Sequence, residues 1–296
     1  MISIIISSAN ASDLQRVTKS IENTIGVPFE IIGIDNSDSQ LGISAVYNRG
    51  TQLARYEMLC FMHEDIELLT RDWGSILVSI FEKNPQLGLV GVAGGGYKSV
   101  VPSSWYNADM EVNGEFYCNL IQGFRHSGRD EFHDYRNPRN ESLSSVASID
   151  GCWMCTKKSI AIAYPFDEAL LTHFHGYDLD FSLAVQEKYT VAVTYEILLR
   201  HFSEGNFSDR WLEDIVKLHK KWSAVLPVNT DGLDESTLSR YERRAFKAFF
   251  RKSLDAGRSY GFLARIVWHS RHSRIYSPKV LLKTYVDLWR VWWERR

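Results

Sequence analysis

At 296 residues, the chain exceeds the usual size of one domain but fits a large α/β domain with an appendage; 45% apolar and 24% charged residues exclude a disordered polymer. The net charge of −2 conceals an asymmetry, because residues 240–296 carry 15 Lys and Arg against 4 Asp and Glu, +11, which leaves −13 for residues 1–239. With no run of about 18 apolar residues, no signal-peptide pattern at Ile2 to Ile6, and only four scattered cysteines, neither a membrane span nor a disulfide framework is expected, and the chain reads as cytosolic.

Two apolar runs, Ile2 to Ile6 and Phe29 to Ile34, flank an amphipathic stretch that starts at Ser12 and Asp13 and stops at Gly26 and Pro28. That pattern predicts a βαβ unit. Ile43 to Tyr56 reads as a second helix, and Met58 to Met62 and Leu87 to Val92 as further strands. Ser148 to Thr156 is predicted to be a strand that buries the Cys152–Cys155 pair, which is a poor zinc or redox site without further ligands or a helix start. Phe181 to Lys188 has helical spacing, and Val191 to Leu199 reads as one strand leading into Arg200 and His201. The alternation predicts an α/β protein, with a Rossmann-like, mostly parallel sheet, helices on both faces, and ligands gathered at the carboxyl ends of the strands.

Polar clusters stand at those ends. Asp35, Asn36, Ser37 and Asp38 suit a ribose or base edge and are equally common in plain turns. In His63-Glu64-Asp65, strand alternation puts His63 and Asp65 on one side, where they could hold a divalent ion or belong to a solvated acidic loop. A second acidic group follows: Phe166-Asp167-Glu168, then Phe174-His175-Gly176-Tyr177-Asp178-Leu179-Asp180, then His201. Asp180 could be a helix cap, but a cap cannot use Asp178 and Asp180 equally well.

With Ile149-Asp150-Gly151, this ordered series resembles the family 2 glycosyltransferases over roughly residues 1–225, closest to the branch typified by a streptomycin-biosynthesis protein. The resemblance implies the GT-A fold of nucleotide-diphospho-sugar transferases and transfer of a sugar from a nucleotide diphosphate donor, UDP favoured, to an acceptor hydroxyl in a glycan or on a lipid-linked glycan. It implies nucleotide contacts at Asp35, with Asn36, His63 and Glu64 beside it, a Mn2+ or Mg2+ ion held by Asp65 and His201, and Asp178 as the base of an inverting displacement. Two positions depart from the family: His63 stands for the first acid of its Asp-x-Asp motif, and Tyr177 for the glutamate of its Glu-Asp motif. A soft imidazole in place of a carboxylate favours manganese over magnesium. Other readings are a nucleotide-sugar-binding scaffold on a degenerate transferase fold and a sugar-nucleotide nucleotidyltransferase. Ser7-Ser8-Ala9-Asn10 lacks the Gly-rich basic loop of the latter.

Between these clusters, the polar, aromatic stretch Tyr97 to Ser148 is expected to form an acceptor-side loop. Trp105, Tyr106, Phe124, His126, Tyr135 and Trp153 could stack on a sugar or belong to the core; Trp211 and Trp222 read as packing residues. Pro227 and Asn229-Thr230-Asp231-Gly232 mark the start of a C-terminal helical region, 226–296. Its last segment places Leu281, Tyr285, Leu288, Trp289 and Trp292 on one face, and Lys279, Lys283, Asp287, Arg290 and Glu294 on the other. Such a basic amphipathic helix suits an anionic membrane surface at the inner face of the membrane, the acidic catalytic region, or an oligomer contact; no nucleic-acid-reading motif accompanies it.

Overall fold

The computed structural model describes residues 1–106, 116–125, 128–203 and 208–295. The chain begins β1 (Ile2–Ser8), α1 (Ala11–Thr24), β2 (Phe29–Asp35), α2 (Ile43–Leu53), β3 (Met58–Met62), β4 (Ile66–Leu68), α3 (Trp73–Lys83) and β5 (Leu87–Gly91). A run of short strands follows: β6 (Ala93–Gly95), β7 (Tyr97–Lys98), β8 (Phe116–Gly123), β9 (Phe132–Arg136), β10 (Leu143–Ser145), β11 (Ser148–Ile149) and β12 (Trp153–Lys157). Next come α4 (Lys158–Ala163), α5 (Tyr177–Val185), β13 (Thr190–Thr194), β14 (Leu199–Phe202), α6 (Asp209–Lys221) and β15 (Val228–Asn229). Three helices end the described chain: α7 (Glu235–Asp255), α8 (Tyr260–His269) and α9 (Pro278–Trp293).

The continuous apolar run of β1 reflects burial on both faces. Ile2, Ile4 and Ile6 pack with Val17 and Ile21 of α1, while Ile5 packs with Val46 and Tyr47 of α2. Helix α1 starts two residues earlier than a cap at Ser12 would place it, because the Asn10 side chain caps it, accepting from the Ser12 N–H at 2.9 Å. It ends at Gly26, whose φ of +70° and close approach to Asp72 leave no room for a Cβ.

The main sheet runs β10-β13-β5-β12-β3-β1-β2 and is mixed rather than mostly parallel. β1 pairs in parallel with β2 and β3, and β13 with β5. β12, in contrast, lies antiparallel between β3 and β5. The reason is where β12 enters: the tight Asp150-Gly151 turn delivers it from β11 of the second sheet at the carboxyl end of β3, with Trp153 opposite Met62, so it runs back along β3. Two predicted strands are also broken. Ser148 to Thr156 splits at that turn, and Val191 to Leu199 splits into β13 and β14, which belong to different sheets.

A second sheet, β11-β6-β8-β14-β4 with β9 beside β8, lies beyond the carboxyl end of β3, and β15 pairs with β7. A separate apolar cluster joins Leu179 and Leu183 of α5, Ile215 and Leu218 of α6, and Phe246, Phe250, Leu263, Val267, Leu288 and Val291 of α7–α9. The C-terminal helices therefore share a core with the helix that carries Asp178. No helix among the described residues is long and apolar enough to cross a membrane.

Candidate metal and nucleotide site

The site forms where the two sheets meet. β3 ends at Met62, and the next three residues lead into β4 in the second sheet. β14 pairs with β4 so that His201 faces Ile66, and Phe202 N–H donates to the Asp65 carbonyl at 2.9 Å. The antiparallel β12 starts at the same level, with His63 N–H donating to the Cys152 carbonyl at 3.0 Å. Strand pairing thus brings together residues 63–65, 150–152 and 201.

His63, Asp65 and His201 each present a ligand atom, all within 4.8 Å of one another. His201 Nε2 stands 3.5 Å from Asp65 Oδ1, and His63 Nδ1 3.7 Å from the same oxygen. Asp65 Oδ1 and His201 Nε2 are buried and, among the described residues, have no hydrogen-bond partner, an arrangement that normally costs stability. Two such atoms aimed at one point, with an imidazole beside them, fit a borderline divalent cation. Asp150, Cys152 and His201 form an overlapping group, in which burial and the Asp150 carboxylate push the Cys152 thiol well up, so a protonated sulfur is the poorer ligand.

Burial opposes ionisation of Asp65, but His201, His63 and Arg125 outweigh it and bring the carboxyl down to about 2. Burial likewise depresses His63, and would depress His201, whose pKa is raised because the Asp65 carboxylate outweighs that effect. The two departures from the family motifs touch: His63 Nε2 and the Tyr177 hydroxyl are hydrogen-bonded at 2.6 Å. Gly151 makes room for that hydroxyl, since a Cβ there would lie 2.1 Å from it.

A cleft of about 550 Å³ opens over these groups, lined among others by Asn36, His63, Glu64, Asp65, Arg125 and Arg210. Asp35 lies exposed at the end of β2 and accepts from the Ser37 N–H at 3.0 Å. Asn36 lines the cleft while bridging to Leu41. Glu64 faces the cleft too, but its carboxylate accepts from Ser8 Oγ and the N–H groups of Ala9 and Asn10, so it fastens the β1–α1 turn.

Asp178 opens α5, partly exposed and outside the lining of this cleft. Burial, reinforced by the Asp150 carboxylate, raises its pKa to about 7 against the pull of neighbouring backbone N–H groups. Asp180 is no cap: it is buried and accepts from Trp222 Nε1 at 2.7 Å and Lys221 Nζ at 2.8 Å. Asp167 takes the same lysine at 2.8 Å.

Sequence reasoning missed three contributors. Asp150 accepts from Trp105 Nε1 at 2.6 Å and from the Cys152 N–H at 2.8 Å; its Asp-Gly turn was visible, its neighbours were not. Arg125, held by Asp13 at 2.7 Å, and Arg210 carry no periodic signal. Of the aromatic candidates, Trp153 is fully buried, Trp105 is held by Asp150, Phe124 lies beneath Arg129 at 3.9 Å, Tyr135 is exposed, and His126 lies outside the described residues.

Residues 2–218 match the family model described as "Glycosyltransferase like family". No curated protein matches the chain. Among solved structures, it is similar to GalNAc-T7 with UDP, GalNAc and Mn2+, at 11% identity and TM-score 0.51, over 76% of this chain and 48% of that one. It is also similar to S. aureus TarS 1-349, at 9% identity and TM-score 0.51, over 100% and 92%. The chain spans about half of the GalNAc-T7 structure. At such identities the likeness shows a shared fold.

Proposed function

The chain belongs to the glycosyltransferase-like family that its residues 2–218 match, and from that premise we propose that it passes a sugar from a nucleotide diphosphate donor to an acceptor hydroxyl by inverting displacement. The observation that carries this reading is the clustering of His63, Asp65 and His201, with two buried ligand atoms that have no hydrogen-bond partner among the described residues. We place the catalytic region at residues 1–225 and a helical appendage at 226–296. The phrase from Phe174 to Asp180 supports the branch typified by the streptomycin-biosynthesis protein.

Asp65 and His201 would hold a divalent cation, manganese favoured, with His63 beside them. When bound, such an ion offsets the negative charge that grows on the diphosphate as the glycosidic bond opens. Asp35 and Asn36 hold the nucleotide at the strand ends, and Arg125 and Arg210 add positive charge along the cleft wall. Asp178 accepts the proton of the attacking hydroxyl; a carboxyl with a pKa near neutrality suits that role. The pairing of His63 with Tyr177 favours a working enzyme over a degenerate scaffold. Two unrelated losses would not be expected to replace each other's contact, and the His63 tautomer that donates Nε2–H to Tyr177 would leave its Nδ1 lone pair for a cation held beside Asp65.

The test is thermal stability against nucleoside diphosphates and their sugars, with and without manganese, since a ligand of the folded state raises the melting temperature by mass action. We expect a manganese-dependent rise with one nucleotide, UDP favoured, that Asp65→Ala abolishes. A rise that ignores manganese and survives Asp65→Ala would remove the metal assignment, and no rise with any nucleotide would favour the scaffold.

A further inference from the structure

Helix α9 turns to the core a face that its apolar periodicity does not single out. Thr284, Asp287, Leu288 and Val291 are buried, Asp287 because Arg243 at 2.8 Å and Lys247 at 3.3 Å reach it from α7. The opposite side carries Leu282, Val286, Trp289 and Trp293, which are 65%, 40%, 50% and 61% exposed. Their spacing makes a single stripe along the helix. The Trp289 and Trp293 rings stack at 5.9 Å, holding a flat apolar surface to the solvent. Lys279, Lys283 and Arg290, all exposed, follow the same period and form a ridge along one edge of the stripe. On α8, packed against α9, Trp268 is 51% exposed beneath the Arg271 guanidinium at 4.2 Å.

We propose that this face seats the protein on an anionic lipid bilayer, the stripe lying in the headgroup boundary and the ridge against lipid phosphates. Half-exposed tryptophans beside lysine and arginine are the chemistry of that boundary. Charge favours this occupant over a second copy of the chain: antiparallel two-fold pairing through the stripe would bring the cationic ridges together, and either two-fold pairing joins two regions carrying +11, whereas an anionic surface complements them. The inference does not depend on the chain transferring sugar.

Co-sedimentation of the full-length protein with phosphatidylcholine vesicles, with and without phosphatidylglycerol, tests it. The protein is expected to bind the anionic vesicles, less so as salt rises, and to leave the neutral ones largely in solution. Lys283→Gln should weaken partition about fivefold, and Trp289→Ser with Trp293→Ser about tenfold or more. Equal partition to both vesicles, partition to neither, or a tryptophan variant that binds like the wild type would overturn the proposal. So would a dimer in sedimentation velocity that the tryptophan variant dissociates while vesicles capture nothing. If that variant melts lower than the wild type, Lys283→Gln with Arg290→Gln decides: binding must fall, and unchanged binding overturns the proposal.

Discussion

A carboxyl group with a pKa near 7 is uncharged in much of the range where an ordinary aspartate is ionised, and Asp178 is such a group. Its folded-state value is raised, so between about pH 4 and 7 the folded chain holds a proton that the unfolded chain has lost. Stability linked to this residue is therefore present at low pH and declines as pH rises through that window. Asp178→Asn should melt above the wild type at about pH 8, with the gap closing toward pH 4. Transfer should show the opposite sign: kcat rises as the base ionises near neutrality, and the Asn variant loses on the order of 10²–10⁴-fold in kcat while donor binding persists. A variant that kept its turnover would exclude Asp178 as the base. At this scale His63 and Tyr177 were legible in sequence as two separate departures from family motifs. That they are one hydrogen-bonded pair was not, because residues 114 positions apart carry no local sign of contact.

Among elements, the link between α5 and α6 shows how an acidic motif divides its labour. Asp178 and Asp180 sit two positions apart on one helix and so point in different directions. Asp180 turns inward to the Trp222 indole and Lys221, which fixes α6 against the helix that presents Asp178. Asp180→Ala should destabilise the protein by about 1–3 kcal/mol, the cost of leaving a buried donor unmade, measured by denaturant unfolding with the slope unchanged. A loss of activity with no loss of stability would assign Asp180 to the chemistry. The strands on both sides of the site were read as longer than they are, since buried apolar residues flank Asp150-Gly151 and Tyr195-Glu196 on both sides of the points where the chain changes sheet. Periodicity records burial, and both halves are buried.

For the whole molecule, the decisive contact runs from α7 to the loop that reaches the site. Glu242, buried, accepts from Tyr97 Oη at 2.5 Å, Ser99 Oγ at 2.9 Å and the Val100 N–H at 3.0 Å. Burial lowers the pKa of the neighbouring Lys98 to about 7, and its amine donates to the Ser103 and Ser104 carbonyls. Trp105 follows and donates to Asp150. A chain cut after Val225 should thus lose more than an appendage. It would expose the shared cluster of α5, α6 and α7–α9, and we expect an aggregating product without a cooperative melt. A soluble 1–225 fragment that melts cooperatively would mean that the two parts fold independently.

Local pattern by itself determined the alternation of strands and helices, the burial of β1 and β3 on both faces, and the polar clusters at the carboxyl strand ends, because those features depend on residues near one another in the chain. The ordered motifs carried the family for the same reason. Tertiary structure alone decided that β12 runs antiparallel, that His201 meets Asp65, that Glu64 fastens a turn, and which face of α9 is left to solvent. Each of these depends on which distant strand or helix supplies the partner. Asp287, read as outward and found buried against Arg243 and Lys247, shows why: a charge goes inside wherever the fold brings it an opposite charge.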